Sequence, residues 1–137
     1  MVDVSYPPPY SYQPMQVCMA VAARDYGLPN WVLPAVHRVE GGKSGAVRSN
    51  SDGTKDYGAM QINTVWVDQF YARYGIHPEV IRRDDCTNVR AAAYIIRSHI
   101  NATGSLWNGI GRYHSKTPSR KYRYAWKVYY AALELRK

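Results

Sequence analysis

Glutamate is scarce in this chain. Only Glu40, Glu79 and Glu134 occur among 137 residues. Any chemistry that needs a glutamic acid therefore has few candidates. Phenylalanine is scarcer still, with one residue against thirteen tyrosines and four tryptophans. The rings on offer thus mostly carry a polar tip, which suits a wet groove that binds something flat and polar, such as a sugar. Partly buried surface tyrosines are the plainer explanation of the same bias.

Cysteine occurs twice, at Cys18 and Cys86. The two are not at metal-ligand spacing and no histidine pair accompanies them. Neither a metal nor a cofactor is expected. The spacing leaves open a disulfide or two separate thiols. A bridge across so long a loop would contribute roughly 4 kcal/mol in the chain-entropy model and would imply an oxidising compartment. No stretch approaches the roughly 18 consecutive apolar residues of a membrane span. The opening residues Met1 to Ser5 lack the basic start and apolar stretch of a secretory signal. That leaves a cytosolic chain, or one from which an export signal has been removed.

What is present is a basic chain with enough apolar content for one core. Apolar residues make up 46% and the net charge is +8. A positive surface favours polyanions: nucleic acid, an anionic membrane or an acidic cell-wall polymer. The densest group is Lys116, Arg120, Lys121, Arg123 and Lys127, interleaved with Tyr122, Tyr124 and Trp126. Such a run reads either as a nucleic-acid face or as the solvated side of a helix.

Residues 1–13, rich in proline and tyrosine, read as an extended polyproline-type arm. Residues 14–137 read as one domain. Pro14 opens a helix that Gly27 stops, and a second helix covers roughly 29 to 40. Asp52-Gly53 is a turn pair between weak strands at 46–48 and 55–57. Asn63 or Thr64 caps a helix through Tyr74. Thr87 or Asn88 caps another, through about Ile100. Short and long helices follow at 105–113 and 119–135. In the last one Tyr122, Ala125, Val128, Ala132 and Leu135 are expected inward. The fold class is mainly α with one small β-hairpin.

Glu40 stands out in that layout. At about 100° per residue, Val32, Leu33, Ala35, Val36 and Val39 form an apolar arc that also contains Glu40. A carboxyl group on the buried side of a helix resists ionisation. It can remain protonated near neutral pH and give a proton to a leaving group.

Four segments in order then carry a resemblance. They are Glu40-Gly41-Gly42, Asp56 to Asn63 (Asp-Tyr-Gly-Ala-Met-Gln-Ile-Asn), Asp85 to Val89 (Asp-Cys-Thr-Asn-Val), and Ile110 to Pro118 (Ile-Gly-Arg-Tyr-His-Ser-Lys-Thr-Pro). Across residues 15 to 133 the chain resembles the lytic transglycosylases of glycoside hydrolase family 23, with their goose-type lysozyme-like SLT domain. It is most similar to the small subset attached to type III and type IV secretion, pilus and conjugation machines.

The resemblance implies an α+β lysozyme-like fold with the hairpin beside an active-site cleft. It implies that Glu40 is the catalytic acid and base. Gly58, Ala59, Met60 and Gln61 would line the substrate groove, and Tyr113 would hold Glu40 and the reacting groups, with His114 beside it. It implies a Cys18–Cys86 disulfide, a periplasmic or exported location, peptidoglycan as substrate, and a secretion, pilus or conjugation apparatus as partner. A monomer that binds no nucleic acid is expected. Gly41, Ala59, His114 and Asp85 depart from the usual serine, leucine, asparagine and proline.

In the mechanism so implied, Glu40 protonates the oxygen between N-acetylmuramic acid and N-acetylglucosamine. The substrate's N-acetyl group stabilises the cation. Glu40 then takes the 6-hydroxyl proton as a 1,6-anhydro ring closes. A hydrolase would need two carboxylates. Asp56, sixteen positions on, is the residue that could supply the second, or it is a turn residue that bonds its own backbone. A muramidase using Glu40 and Asp56, and a non-catalytic wall- or nucleic-acid-binding module, are the alternatives.

Overall fold

The computed structural model describes residues 14–137, so the expected arm at 1–13 lies outside it. Seven helices and three short strands follow in order: α1 (Met15–Tyr26), α2 (Val32–Glu40), β1 (Val47–Ser49), β2 (Lys55–Tyr57), β3 (Ile62–Asn63), α3 (Thr64–Tyr74), α4 (Pro78–Arg83), α5 (Asp85–Thr103), α6 (Leu106–His114) and α7 (Pro118–Leu135). The mainly α, lysozyme-like architecture is as expected. No helix among these residues is long and apolar enough to cross a membrane.

Helix α5 is the axis. It packs against α1, α4 and α6, and its apolar face (Val89, Ala92, Ala93, Ile96) is buried. Two devices fix α1 along it. Cys18 and Cys86 form a disulfide, with their Cα atoms 5.2 Å apart. At the other end Arg97 donates to the carbonyls of Tyr26 (2.9 Å) and Gly27 (2.8 Å). These are carbonyls at the helix C-terminus, which otherwise lack partners.

Helix α2 starts three residues later than expected. Pro29 to Trp31 instead form a turn, with the Val32 amide on the Pro29 carbonyl at 3.1 Å. Pro34 thereby becomes the third helical residue, where an amide hydrogen would be unpaired anyway. Helix α4 was not foreseen. Pro78 opens it and the His77 ring accepts the Glu79 amide at 3.1 Å. Helix α5 begins at Asp85, so neither Thr87 nor Asn88 caps it.

The expected hairpin is present and a third strand extends it. Val47 pairs with Tyr57 and Arg48 with Asp56; Asp56 then pairs with Asn63. Asp52 closes the turn by accepting from the Thr54 amide and hydroxyl at 3.0 and 2.6 Å. Asn63 caps α3 as foreseen, accepting the Val65 amide at 3.0 Å.

Helix α7 buries Val128 and Ala132 as expected, but Tyr124 and Ala131 join them, while Tyr122 and Leu135 are exposed. The basic and aromatic run is therefore not a single face. Lys116 and Arg120 turn to one side, and Tyr122 and Trp126 to another.

Candidate active site

A cleft of about 850 Å³ runs between the sheet and the helices. Its walls include Glu40, Asp56, Gln61, Tyr113 and His114. Five of the expected residues therefore meet in one place, although they come from α2, β2, the 58–61 turn and α6.

Glu40 ends α2. Gly41 follows with φ +65° and caps the helix through the His37 carbonyl at 2.8 Å. That left-handed conformation suits glycine. Helix α2 packs on α7, so the Glu40 carboxyl is largely enclosed. Its Oε2 accepts the Tyr124 hydroxyl at 2.6 Å. Burial pushes the Glu40 pKa up to about 7. The Tyr124 bond opposes this, and the negative charge of Asp56 adds to it. At neutral pH the carboxyl group is thus poised between acid and base, as proton transfer in both directions requires.

Tyr124 was missed as a site residue. It is buried, its hydroxyl is pushed well above its usual pKa by burial and then by Glu40, and His114 stacks on its ring at 5.0 Å. One signal was available: Tyr124, Val128 and Ala131 repeat at i, i+4 and i+7. That α7 would face α2 was not readable from the chain.

Tyr113 has a different hydrogen-bond partner from the one expected. Its hydroxyl donates to the Met60 carbonyl at 2.6 Å. It still feels Glu40 and Asp56. Burial, followed by those two charges, raises its pKa well above the usual value. The hydroxyl bonded to the glutamate belongs to Tyr124.

The 58–61 turn divides in the same way. Gly58, Ala59 and Met60 are buried behind the cleft wall, and only Gln61 faces the cavity. Gly58 has φ +73°, and a Cβ there would collide with the Asn88 side chain. Asn88, fully buried, holds the turn in place. It accepts the Met60 amide at 2.7 Å and donates to the carbonyls of Tyr57 (2.8 Å) and Ile81 (2.9 Å). Gln61 adopts φ +56°, rare for a residue with a side chain. Its amide nitrogen donates to the Gly58 carbonyl at 2.9 Å. Its side-chain oxygen is buried without a partner. An orphan acceptor of this kind costs about 1–3 kcal/mol.

Asp56 lies on β2, across the sheet from Asn63, whose amide donates to it at 3.1 Å. His99 also lines the cleft. Burial, then the charges of Arg112 and Lys116, hold its pKa down at about 4.

A small sheet facing a helical core across a long cleft, with one enclosed glutamic acid at a helix end, defines a lysozyme-like glycan-cleaving class. The family model described as Transglycosylase SLT domain matches residues 17–125, and the chain belongs to that family. Similar proteins include Protein IpgF of Shigella flexneri, 30% identical over 105 residues (76% of this chain, 68% of the relative). Invasion protein IagB of Salmonella typhimurium (strain SL1344) is 30% identical over 117 residues (82% and 72%). X polypeptide of Escherichia coli is 29% identical over 119 residues (82% and 70%). The family's activity is that of a lytic transglycosylase acting on peptidoglycan.

Proposed function

We propose that this chain cleaves the β-1,4 bond between N-acetylmuramic acid and N-acetylglucosamine and leaves 1,6-anhydromuramic ends. The observation that carries this is the state of Glu40. It has one enclosed carboxyl group, a pKa near 7 and a single hydroxyl bond from Tyr124.

In the acid form Glu40 donates to the bridging oxygen as the bond to the leaving sugar breaks. The carboxylate so formed is held by the Tyr124 hydroxyl, a charge-assisted bond that strengthens as charge develops. It then accepts the 6-hydroxyl proton, and the ring closes without water. Asp56 raises the proton affinity of Glu40 and puts negative charge in the cleft where the sugar becomes cationic. Gln61 is the residue of the 58–61 turn that lines the cleft. Tyr113, tied to Met60, braces the turn that presents Gln61.

The likeness to a protein named for invasion supports service to a secretion, pilus or conjugation apparatus. The Cys18–Cys86 bridge supports an oxidising, periplasmic or external location. A muramidase remains the second reading, because Asp56 lines the same cleft and its charge acts on Glu40.

Mass spectrometry of purified peptidoglycan digested by the protein decides between them. Anhydromuramic products are expected. Reducing ends alone would overturn the lyase reading.

A further inference from the structure

A second groove, of about 760 Å³, lies where α1, α3, α4 and α5 meet, and it shares no lining residue with the cleft that holds Glu40. Tyr26, Phe70, Tyr74 and Tyr94 give it aromatic walls, and Val80 and Ala91 add aliphatic surface. Tyr94 is the hub. Its ring centre is 6.3 Å from Tyr26, 5.3 Å from Phe70 and 6.1 Å from Tyr74, each pair edge to face. Tyr74 is 56% exposed and Val80 44%. A contiguous apolar surface left open to water marks a place for a partner.

The groove also has a hydrogen bond to give. The Tyr74 and Tyr94 hydroxyls lie 3.1 Å apart. One donates to the other, and the second keeps its proton. Aromatic walls with a spare O–H are the surface that takes a polyproline helix. Prolines lie flat on the rings, and the backbone carbonyls, which have no partner within such a helix, accept the bond.

This chain carries a ligand of that kind. Residues 6–12 read Tyr-Pro-Pro-Pro-Tyr-Ser-Tyr. Pro14, the first described residue, has φ −57° and ψ 140°, close to polyproline values. The chain therefore enters α1 in an extended form, and it enters beside the groove. Pro14 stands about one helical turn before Cys18. The Cα of Cys18 is 5.2 Å from that of Cys86, and the next residue, Thr87, lines the groove. From Thr87 to Tyr94 is about 10 Å along α5. Seven residues in polyproline form span about 22 Å, enough to cover that length and continue to Tyr74.

The groove at Trp107 and Trp126 is smaller, about 410 Å³, and more distant. Trp31, which follows the end of α1, stacks on Trp107 at 5.2 Å. A segment leaving the start of α1 must pass that whole helix, about 18 Å, to reach it.

We propose that residues 6–12 dock in the groove between α4 and α5 of the same molecule, with the chain folding back before Pro14 and the prolines lying on Tyr26, Tyr74 and Tyr94. Weak contacts suffice for this, because a short tether holds the segment at an effective concentration of about millimolar.

Paramagnetic relaxation in the full chain tests the docking. A nitroxide is attached through Ser5→Cys, beyond the outer end of the run, with the Cys18–Cys86 bridge intact, and isotope-labelled amides report where it sits. The amides of Tyr74, Gly75 and Ile76, at the far end of the groove, are expected to broaden strongly and independently of protein concentration. Tyr74→Ala with Val80→Asp should abolish that broadening. Pro7→Ser, Pro8→Ser and Pro9→Ser together should also abolish it, and these change only the segment before α1, so the test stands even if the groove variant unfolds. Broadening spread evenly over the surface, or centred on Trp107 and Trp126, would overturn the assignment. So would broadening of nitroxide-free molecules mixed with nitroxide-bearing ones, since the groove would then hold the segment of a second copy. Localised broadening that survives the proline changes would overturn it as well.

Discussion

The two carboxylates of the cleft, Glu40 and Asp56, sit on opposite kinds of scaffold. Glu40 ends a helix that packs on α7, and it is partly buried at the wall of the cleft. Its pKa rises to about 7 because desolvation outweighs the single bond from Tyr124. Asp56 lies on a three-residue strand of a sheet with little cover, held by an amide of Asn63. The helical side of the cleft can therefore carry a proton, and the sheet side can carry a charge. A reaction that needs one proton moved out and back, with transient positive charge between, uses both without asking Asp56 to attack anything.

Glu40→Gln should cause the largest effect and tests the helical half directly. Loss of the only proton carrier should lower turnover by about a hundred- to ten-thousandfold. The same variant reads the energetic cost of the site. A carboxyl group whose pKa is about 7 when folded and about 4.5 when free destabilises the fold as it is forced to ionise. Its cost is absent below pH 4.5, grows as pH rises to 7 and is constant above. Urea melts should therefore show wild type losing up to about 3 kcal/mol relative to Glu40→Gln across that window. A difference that does not vary with pH would mean that Glu40 is not desolvated.

Next in size is Tyr124→Phe. It removes a bond that favours the ionised carboxyl, so the Glu40 pKa should climb further. The alkaline limb of the rate profile should move to higher pH, and turnover should fall about tenfold, as expected for one hydrogen bond to a charged group. A limb that stays in place would detach Tyr124 from the chemistry.

How much of this was legible follows from what each feature depends on. Glu40, the Asp52-Gly53 hairpin and the Asn63 cap rest on spacing within one segment, and those expectations match the fold. Tyr124 depends on which side of α7 meets α2, and an 18-residue helix with tyrosines and basic residues on every side gives a weak pattern. Asn88 looked like a cap because asparagine usually serves locally. Here it reaches Tyr57 and Met60, about thirty residues away in sequence, and no local rule reports that. Met60 was expected in the groove because it belongs to the matching motif. The structure places that motif as a buried brace with Gln61 alone presented, a distinction that depends on the third dimension.

The smallest expected effect is the one that decides the comparison. Asp56→Asn keeps an oxygen for the Asn63 amide, so the sheet should hold its register. What disappears is a negative charge that raises the Glu40 pKa. The alkaline limb should therefore move to lower pH, opposite in sign to the shift from Tyr124→Phe. If Asp56 acts only through its field, turnover should fall about fivefold, near 1 kcal/mol, and the products should still carry 1,6-anhydro ends. If Asp56 is instead a nucleophile or a base for water, its amide cannot replace it, and the loss should approach that of Glu40→Gln. A small loss with a downward shift would make the sheet side an electrostatic partner. A loss of a thousandfold, with only reducing-end products from wild type, would make the two carboxylates equal members of a hydrolase.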